Sequence, residues 1–322
     1  MKTISLWLVL FLLITACQDV KNGSVIFVQK DEKSGYNFPY FLFIPDDVSR
    51  QDRAYLVVEP NNSGFADDDF QKHIDKARRL ATKDYYTGNY VARALRYPLV
   101  VPVFPRSREK WKIYTHSLDR DVMLQKKSDL QRIDLQLLNM VEDARQKLGR
   151  RKIRTNSTFL LTGFSASGTF VNRFSLLHAN RVFAAAAGGL NGLLMLPVAR
   201  LEGQALNYPV GINDFNALFN KQFDKTAFKR TPQFWFMGEQ DDNDAIPYDD
   251  AFDPAEREVI FGVLGEEMMP LRWQKCAKIY NQQQVNATIK TFAGVGHKHP
   301  QRIKDEIVNF FRQQVEFNTL SE

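Results

Sequence analysis

Gly163-Phe164-Ser165-Ala166-Ser167-Gly168 follows directly on the apolar run 158–162. A strand that ends in Gly-x-Ser and turns at once into a helix makes a weak hydroxyl usable as a nucleophile. Only small residues fit around so tight a turn, and it lifts the serine Oγ above the edge of the sheet. The N–H of the next residue, Ala166, would then face a developing oxyanion from a helix N-terminus. Small strand-to-helix turns also merely close packing gaps, so this motif needs company before it reads as chemistry. Two later segments supply it. Gly238-Glu239-Gln240-Asp241-Asp242-Asn243-Asp244 closes the apolar run 233–237, and Gly294-Val295-Gly296-His297 follows the run 288–292. A hydroxyl, carboxylates and an imidazole thus come in that order, each just past a strand-like run.

The elements that must position these groups read clearly from periodicity. Strands are expected at 25–29, 36–44, 55–59, 98–104, 158–162, 182–187, 233–237 and 288–292, the first two as an antiparallel edge pair. The run 98–104 is apolar almost throughout, as a strand covered on both faces should be. Helical spacing is expected over 67–89, 129–148, from the serine turn to 178, over 254–283 with breaks at Gly265 and Pro270, and over 300–317. Strands alternating with helices predict an α/β fold, a doubly wound and mostly parallel sheet with right-handed crossovers. Ligands of such sheets bind beyond the carboxyl ends of the strands, which is where all three groups fall.

In element order and in four loops the chain resembles the α/β-hydrolases, of the secreted esterase and polyester-depolymerase kind. The four are the serine turn, the Gly-x-x-Asp loop, the Gly-x-Gly-His loop and the loop after Glu59. The common serine turn has Gly two residues on, where this chain has Ser167; the position demands smallness more than glycine. The resemblance implies Ser165 as nucleophile, His297 as general base and Asp241 as the acid that holds the imidazole. Asp244 is the alternative acid, and Asp242 is also within reach. Ala166 would give one oxyanion donor. The second is expected from Pro60-Asn61-Asn62-Ser63-Gly64, at Asn62 by offset with Asn61 next in line; lipases often carry His-Gly-Gly there.

Two insertions border this set. Residues 190–231, apolar in places, read as a helical cap, either lining the site or simply packed over the sheet. Residues 104–127 place Trp111, Tyr114 and His116 in a loop rich in Arg and Lys, suited to a sugar or aromatic-ester contact or to plain loop anchoring. His299 is expected to start the last helix. His73, His116 and His178 read as structural.

The N-terminus carries one Lys, a short apolar core at 4–13 and then Ile14-Thr15-Ala16-Cys17. That core is too short to span a bilayer and reads as a secretory signal. The cysteine after Thr15-Ala16 resembles the bacterial lipobox, which implies acylation of Cys17. The domains expected are a signal at 1–16, a polar tether at 17–24 and one hydrolase domain at 25–322. Gln18 rather than Asp follows the cysteine, so the expected location is the bacterial envelope, in the outer membrane. Cys276 is left without a partner, so no internal disulfide is expected.

The net charge of +6 owes much to a basic run at 145–154, which reads as a solvated helix end rather than a nucleic-acid surface. The expected partners are a small or polymeric ester and, through the anchor alone, a membrane; no nucleic acid, metal or organic cofactor is implied. The leading reading is a serine hydrolase that cleaves a carboxylic ester through an acyl-enzyme. An acyltransferase or peptidase on the same residues, or a non-catalytic surface module for glycan or protein, are the alternatives.

Overall fold

The computed structural model describes residues 17–48, 53–61 and 64–321. The signal at 1–16 lies outside the described residues. The chain begins with the strands β1 (Cys17–Val20), β2 (Gly23–Val28), β3 (Tyr40–Pro45) and β4 (Ala54–Val58). Two helices follow, α1 (Phe70–Thr82) and α2 (Thr87–Leu95), then β5 (Leu99–Pro102), the short α3 (Arg120–Met123) and the long α4 (Ile133–Arg150). Next come β6 (Thr155–Phe164), α5 (Ala166–Leu177) and β7 (Val182–Gly188). A small hairpin, β8 (Arg200–Leu201) with β9 (Gln204–Ala205), precedes α6 (Phe215–Phe219) and α7 (Lys225–Arg230). The chain closes with β10 (Gln233–Gly238), α8 (Pro254–Leu264), α9 (Trp273–Gln282), β11 (Ala287–Phe292) and α10 (Gln301–Ser321).

Nine strands form one sheet in the order β1-β2-β3-β5-β4-β6-β7-β10-β11. From β5 to β11 all pairings are parallel, while β1, β2 and β3 run antiparallel to their neighbours. Side chains alternate along each strand and so feed two separate cores. Phe41, Phe43, Leu160, Phe234 and Phe236 face α1, α2 and α10, whose Ala77, Val91, Ile307 and Phe311 meet them. Leu42, Phe159, Leu161, Trp235 and Met237 face the other way, toward Leu137 and Val141 of α4 and Phe170 and Phe174 of α5. Each such Leu or Phe, fully buried, contributes roughly 1.5–3 kcal/mol. Double-sided burial of β6 is what holds the turn after it in place.

Three expectations need revision. The polar tether at 17–24 is instead β1 and the start of β2, with Cys17 opposite Ile26 and Val20 opposite Gly23. Its polar residues suit an outermost strand, so β1, not β2, forms the edge. The single helix expected over 67–89 is two helices. Glu59, fully buried at the end of β4, accepts from the Gly88 N–H at 2.8 Å and from the Thr87 hydroxyl at 3.0 Å, and so sets a new helix start. Asn89 in turn donates to the Ala81 carbonyl at the end of α1. His299 precedes the last helix without joining it, since α10 starts at Gln301.

The 190–231 insertion lies between β7 and β10 and is helical at α6 and α7. Of the two roles open to it, packing over the sheet is the one most of it takes, while Asn191 at its head lines the cleft. Leu194, Leu196, Tyr208, Phe215, Phe219 and Phe228 all join the same core as α4 and α5. Cys276 sits buried in α9, its thiol pushed up to about 11 by burial. Each of the histidines 73, 116 and 178 bonds locally: His73 to the Asp67 carbonyl, His116 to the Phe104 carbonyl and His178 to Asp134. Among the described residues no helix is long and apolar enough to cross a membrane.

Candidate active site

Ser165 stands at the junction of β6 and α5 with φ 61° and ψ −131°. An L-residue held at positive φ costs about 1–3 kcal/mol, so its surroundings must impose that conformation. They do so from three sides. The Ser165 N–H donates to the Gly188 carbonyl of β7 at 2.9 Å, and the Thr169 N–H donates back to the Ser165 carbonyl at 3.0 Å. Below the turn, the Ser167 hydroxyl accepts from the Phe164 N–H at 3.0 Å. A side chain on Gly163 would fall 2.6 Å from that hydroxyl, which is why glycine stands there. The serine at the unusual position thus fills the turn and satisfies a buried N–H.

His297 reaches this serine from the loop after β11. Its Nε2 lies 2.9 Å from Ser165 Oγ, and its Nδ1 lies 3.0 Å from both carboxylate oxygens of Asp241. A ring nitrogen facing a carboxylate carries the proton, so Nε2 presents its lone pair to the serine hydroxyl. The two loops meet because Gly238 has no side chain: a Cβ there would stand 2.2 Å from the Val295 carbonyl. The Gln240 N–H donates to that same carbonyl at 2.9 Å. Asp241 is 3% exposed and takes a further bond from the Asn243 N–H at 3.1 Å.

The other named candidates fall elsewhere. Asp244 lines the same cleft, but Arg272 holds both its oxygens at 2.9 and 3.0 Å. Asp242 is exposed. His299 packs its ring against Phe164, which lies between the two imidazoles at 4.6 and 4.8 Å; burial pulls His299 down to about 4 and keeps it neutral. Ala166 is the first residue of α5, so its N–H is among the helix's unpaired donors. Asn62 lies outside the described residues. Asn61 is buried and donates from Nδ2 to the Phe104 carbonyl at 3.3 Å, while its Oδ1 finds no partner among the described residues. Gly64, from the same loop, does line the cleft.

Sequence reasoning missed three residues here. Asn243 donates to Asn191 Oδ1 at 3.0 Å and passes 3.4 Å from His297 Nε2. Asn243 lay in the acid loop and carried a readable signal; Asn191, at the head of the insertion, did not. Arg106, only 3% exposed, joins three loops around the cleft. It donates to the Gly64 carbonyl at 2.6 Å, the Trp111 carbonyl at 3.0 Å and Asp250 Oδ2 at 2.6 Å. Its guanidinium lies 3.6 Å from the centre of the Tyr114 ring. The cleft so walled has a volume of about 650 Å³.

This fold recurs in solved structures. Over 90% of this chain and 98% of its own, a poly(aspartic acid) hydrolase-1 from Sphingomonas superposes with a TM-score of 0.56 at 14% identity. An S-formylglutathione hydrolase from Agrobacterium tumefaciens does so with a TM-score of 0.53 at 12% identity, over 94% of this chain and 98% of its own. The fold is the α/β-hydrolase fold. A poly(3-hydroxybutyrate) depolymerase from Bordetella parapertussis is similar at a TM-score of 0.51 and 18% identity, over 90% of this chain and 88% of its own. No protein-family model and no curated protein matches the sequence. At such identities an α/β-hydrolase fold speaks for architecture, and function has to be argued from the site.

Proposed function

We propose that this chain is a serine hydrolase that cleaves a carboxylic ester through an acyl-enzyme on Ser165. The unbroken line Ser165–His297–Asp241, with contacts of 2.9 and 3.0 Å, is the observation that carries the reading. In the first step Ser165 Oγ attacks the ester carbonyl carbon while His297 Nε2 takes the hydroxyl proton. The negative oxygen of the tetrahedral intermediate turns to the Ala166 N–H and to a backbone donor from the loop at 60–64, the segment of Asn61 and Asn62. Asp241 stabilises the imidazolium without itself taking the proton. As the intermediate collapses, His297 returns that proton to the leaving alcohol. Water then attacks the acyl-enzyme with His297 again as base, and Ser165 is restored. The cleft is open at Trp111 and Tyr248, 43% and 65% exposed, which leaves water a path to the acyl group.

The signal-like N-terminus supports export, with acylation of Cys17 and anchorage in the bacterial envelope. Metabolic labelling with a radioactive fatty acid, lost in Cys17→Ser, tests that part. For the chemistry, the chain from residue 18 is assayed on p-nitrophenyl butyrate beside Ser165→Ala, and its fluorophosphonate adduct is mapped by mass spectrometry. Turnover and a label on Ser165, both absent from the variant, are expected. A folded protein that neither turns over nor labels would defeat the reading.

A further inference from the structure

The cleft above Ser165 is walled mainly by aromatic rings and polar side chains, with Ala245 and Pro247 as its small aliphatic part. Among its described lining residues there is no Leu, Ile, Val, Met or Phe. A fatty acyl chain gains about 0.8 kcal/mol for each methylene it buries, and these walls offer it little to bury against. Two aromatic rings do line the cleft in the open, Trp111 at 43% and Tyr248 at 65% exposed.

Neither ring serves as the anchor of its own loop. Arginines do that work. Arg106 binds the Trp111 carbonyl and Asp250, and Arg257 binds the Ile246 carbonyl at 2.9 Å and Asp249 at 2.7 Å. The rings are therefore mounted on fixed backbone and stay partly exposed, which is how a recognition surface lowers the ordering cost of binding. The Lys112 ammonium lies 5.5 Å from the centre of the Trp111 ring. The same two ion pairs each engage one carboxylate oxygen, Asp249 Oδ1 and Asp250 Oδ2. Among the described residues the second oxygen of each takes no side-chain partner, and both aspartates line the cleft. With Asn243 and Asn191 alongside, the wall suits a ligand that presents a flat apolar face and several hydroxyl donors. A pyranose ring has both. A uronate or other anionic polymer would meet the two carboxylates unfavourably.

We propose that the cleft binds a neutral O-acylated oligosaccharide. Its sugar rings stack on Trp111 and Tyr248, its hydroxyls donate to Asp249 and Asp250, and a short acyl group lies at Ser165. This rests on the hydrolase reading and narrows it to a substrate class.

The test uses the chain from residue 18, which retains β2 to α10, with three substrates followed by pH-stat: O-acetylated xylo-oligosaccharide, ethyl acetate and ethyl octanoate. Wild type, Trp111→Ala and Tyr248→Ala are compared. The oligosaccharide is expected to be deacetylated, with KM raised about tenfold in each variant, the equivalent of one lost ring contact. For ethyl acetate, which is too small to span both rings, kcat/KM should fall by much less in each variant than the oligosaccharide KM rises. Preference for ethyl octanoate, cleavage of ethyl acetate without deacetylation of the oligosaccharide, or an unchanged KM in both variants would overturn the proposal. No turnover of any ester by wild type would instead defeat the hydrolase reading. The sugar contact is then read from quenching of tryptophan fluorescence by unacetylated xylo-oligosaccharide: quenching lost in Trp111→Ala sustains it, and no quenching ends it.

Discussion

Arg272, with no exposed surface, grips both oxygens of Asp244, while Asp241 three residues earlier is left to His297. One acidic loop thus divides its carboxylates between two tasks. Asp241→Asn should lower kcat by about 10³- to 10⁴-fold with the thermal midpoint nearly unchanged, as expected where the imidazole loses its orienting carboxylate. Asp244→Asn should do the reverse. It leaves a buried arginine without its counter-ion, a loss of roughly 3–5 kcal/mol, while the folded fraction keeps most of its activity. Ester kinetics beside thermal unfolding of both variants read the difference. Equal losses of kcat in the two would contradict the division.

Arg106 acts at one remove from the reaction, through the carbonyl of Gly64 in the loop expected to supply an oxyanion donor. A displacement of about 1 Å in such a donor costs on the order of 100-fold in rate. Arg106→Lys keeps the charge but lacks the planar fork that meets three carbonyl and carboxylate partners at once. It is expected to lower kcat by about that factor with KM for ethyl acetate little changed. A general loosening of the fold would show itself in both constants and in the unfolding curve.

Ser167 offers a test of the turn itself. Ser167→Ala removes the acceptor that meets the Phe164 N–H at 3.0 Å. Leaving a buried N–H unmet costs about 1–3 kcal/mol. Chemical denaturation should report that loss, with fluorophosphonate labelling of Ser165 slowed only a few-fold. A variant as stable as wild type would show that the hydroxyl is incidental.

Glu59 predicts a pH dependence. Burial pushes its carboxyl up to about 7, and the bonds from Gly88 and Thr87 offset only part of that. In the unfolded chain the group ionises near its usual 4.5, so between the two values the folded state binds the extra proton. Stability from this group is therefore complete below pH 4.5 and falls as pH rises through about 7. The span corresponds to roughly 3 kcal/mol. Glu59→Gln should flatten that part of the curve, so that its unfolding free energy gains on wild type between pH 5 and pH 8. Parallel curves for the two proteins would refute this.

What the sequence made legible was whatever depends on continuous or periodic apolar runs. Residues 158–162 and 233–237 feed both cores, so the strands and the loops that follow them stood out. Within the acid loop, three aspartates in four positions share one local pattern. Only Arg272, far along the chain, separates Asp244 from Asp241. The break between α1 and α2 carries no Gly or Pro, because its cause is the Glu59 carboxylate from a neighbouring strand. The strand β1 was hidden by its polar composition, which an edge position permits. Arg106 was invisible for the same reason that it is effective: its partners stand at 64, 111 and 250.

That last arrangement bears on how this frame can change. Loops at strand ends ordinarily vary one at a time, each free to acquire a new length or contact. Here three of them share a single guanidinium, so an insertion in any one would pull on the other two. Grafting the segment around Trp111 into a related scaffold should therefore fail unless Arg106, the backbone at Gly64 and Asp250 travel with it. New substrate preferences would have to arise from side chains exchanged on a fixed frame, not from loops redrawn.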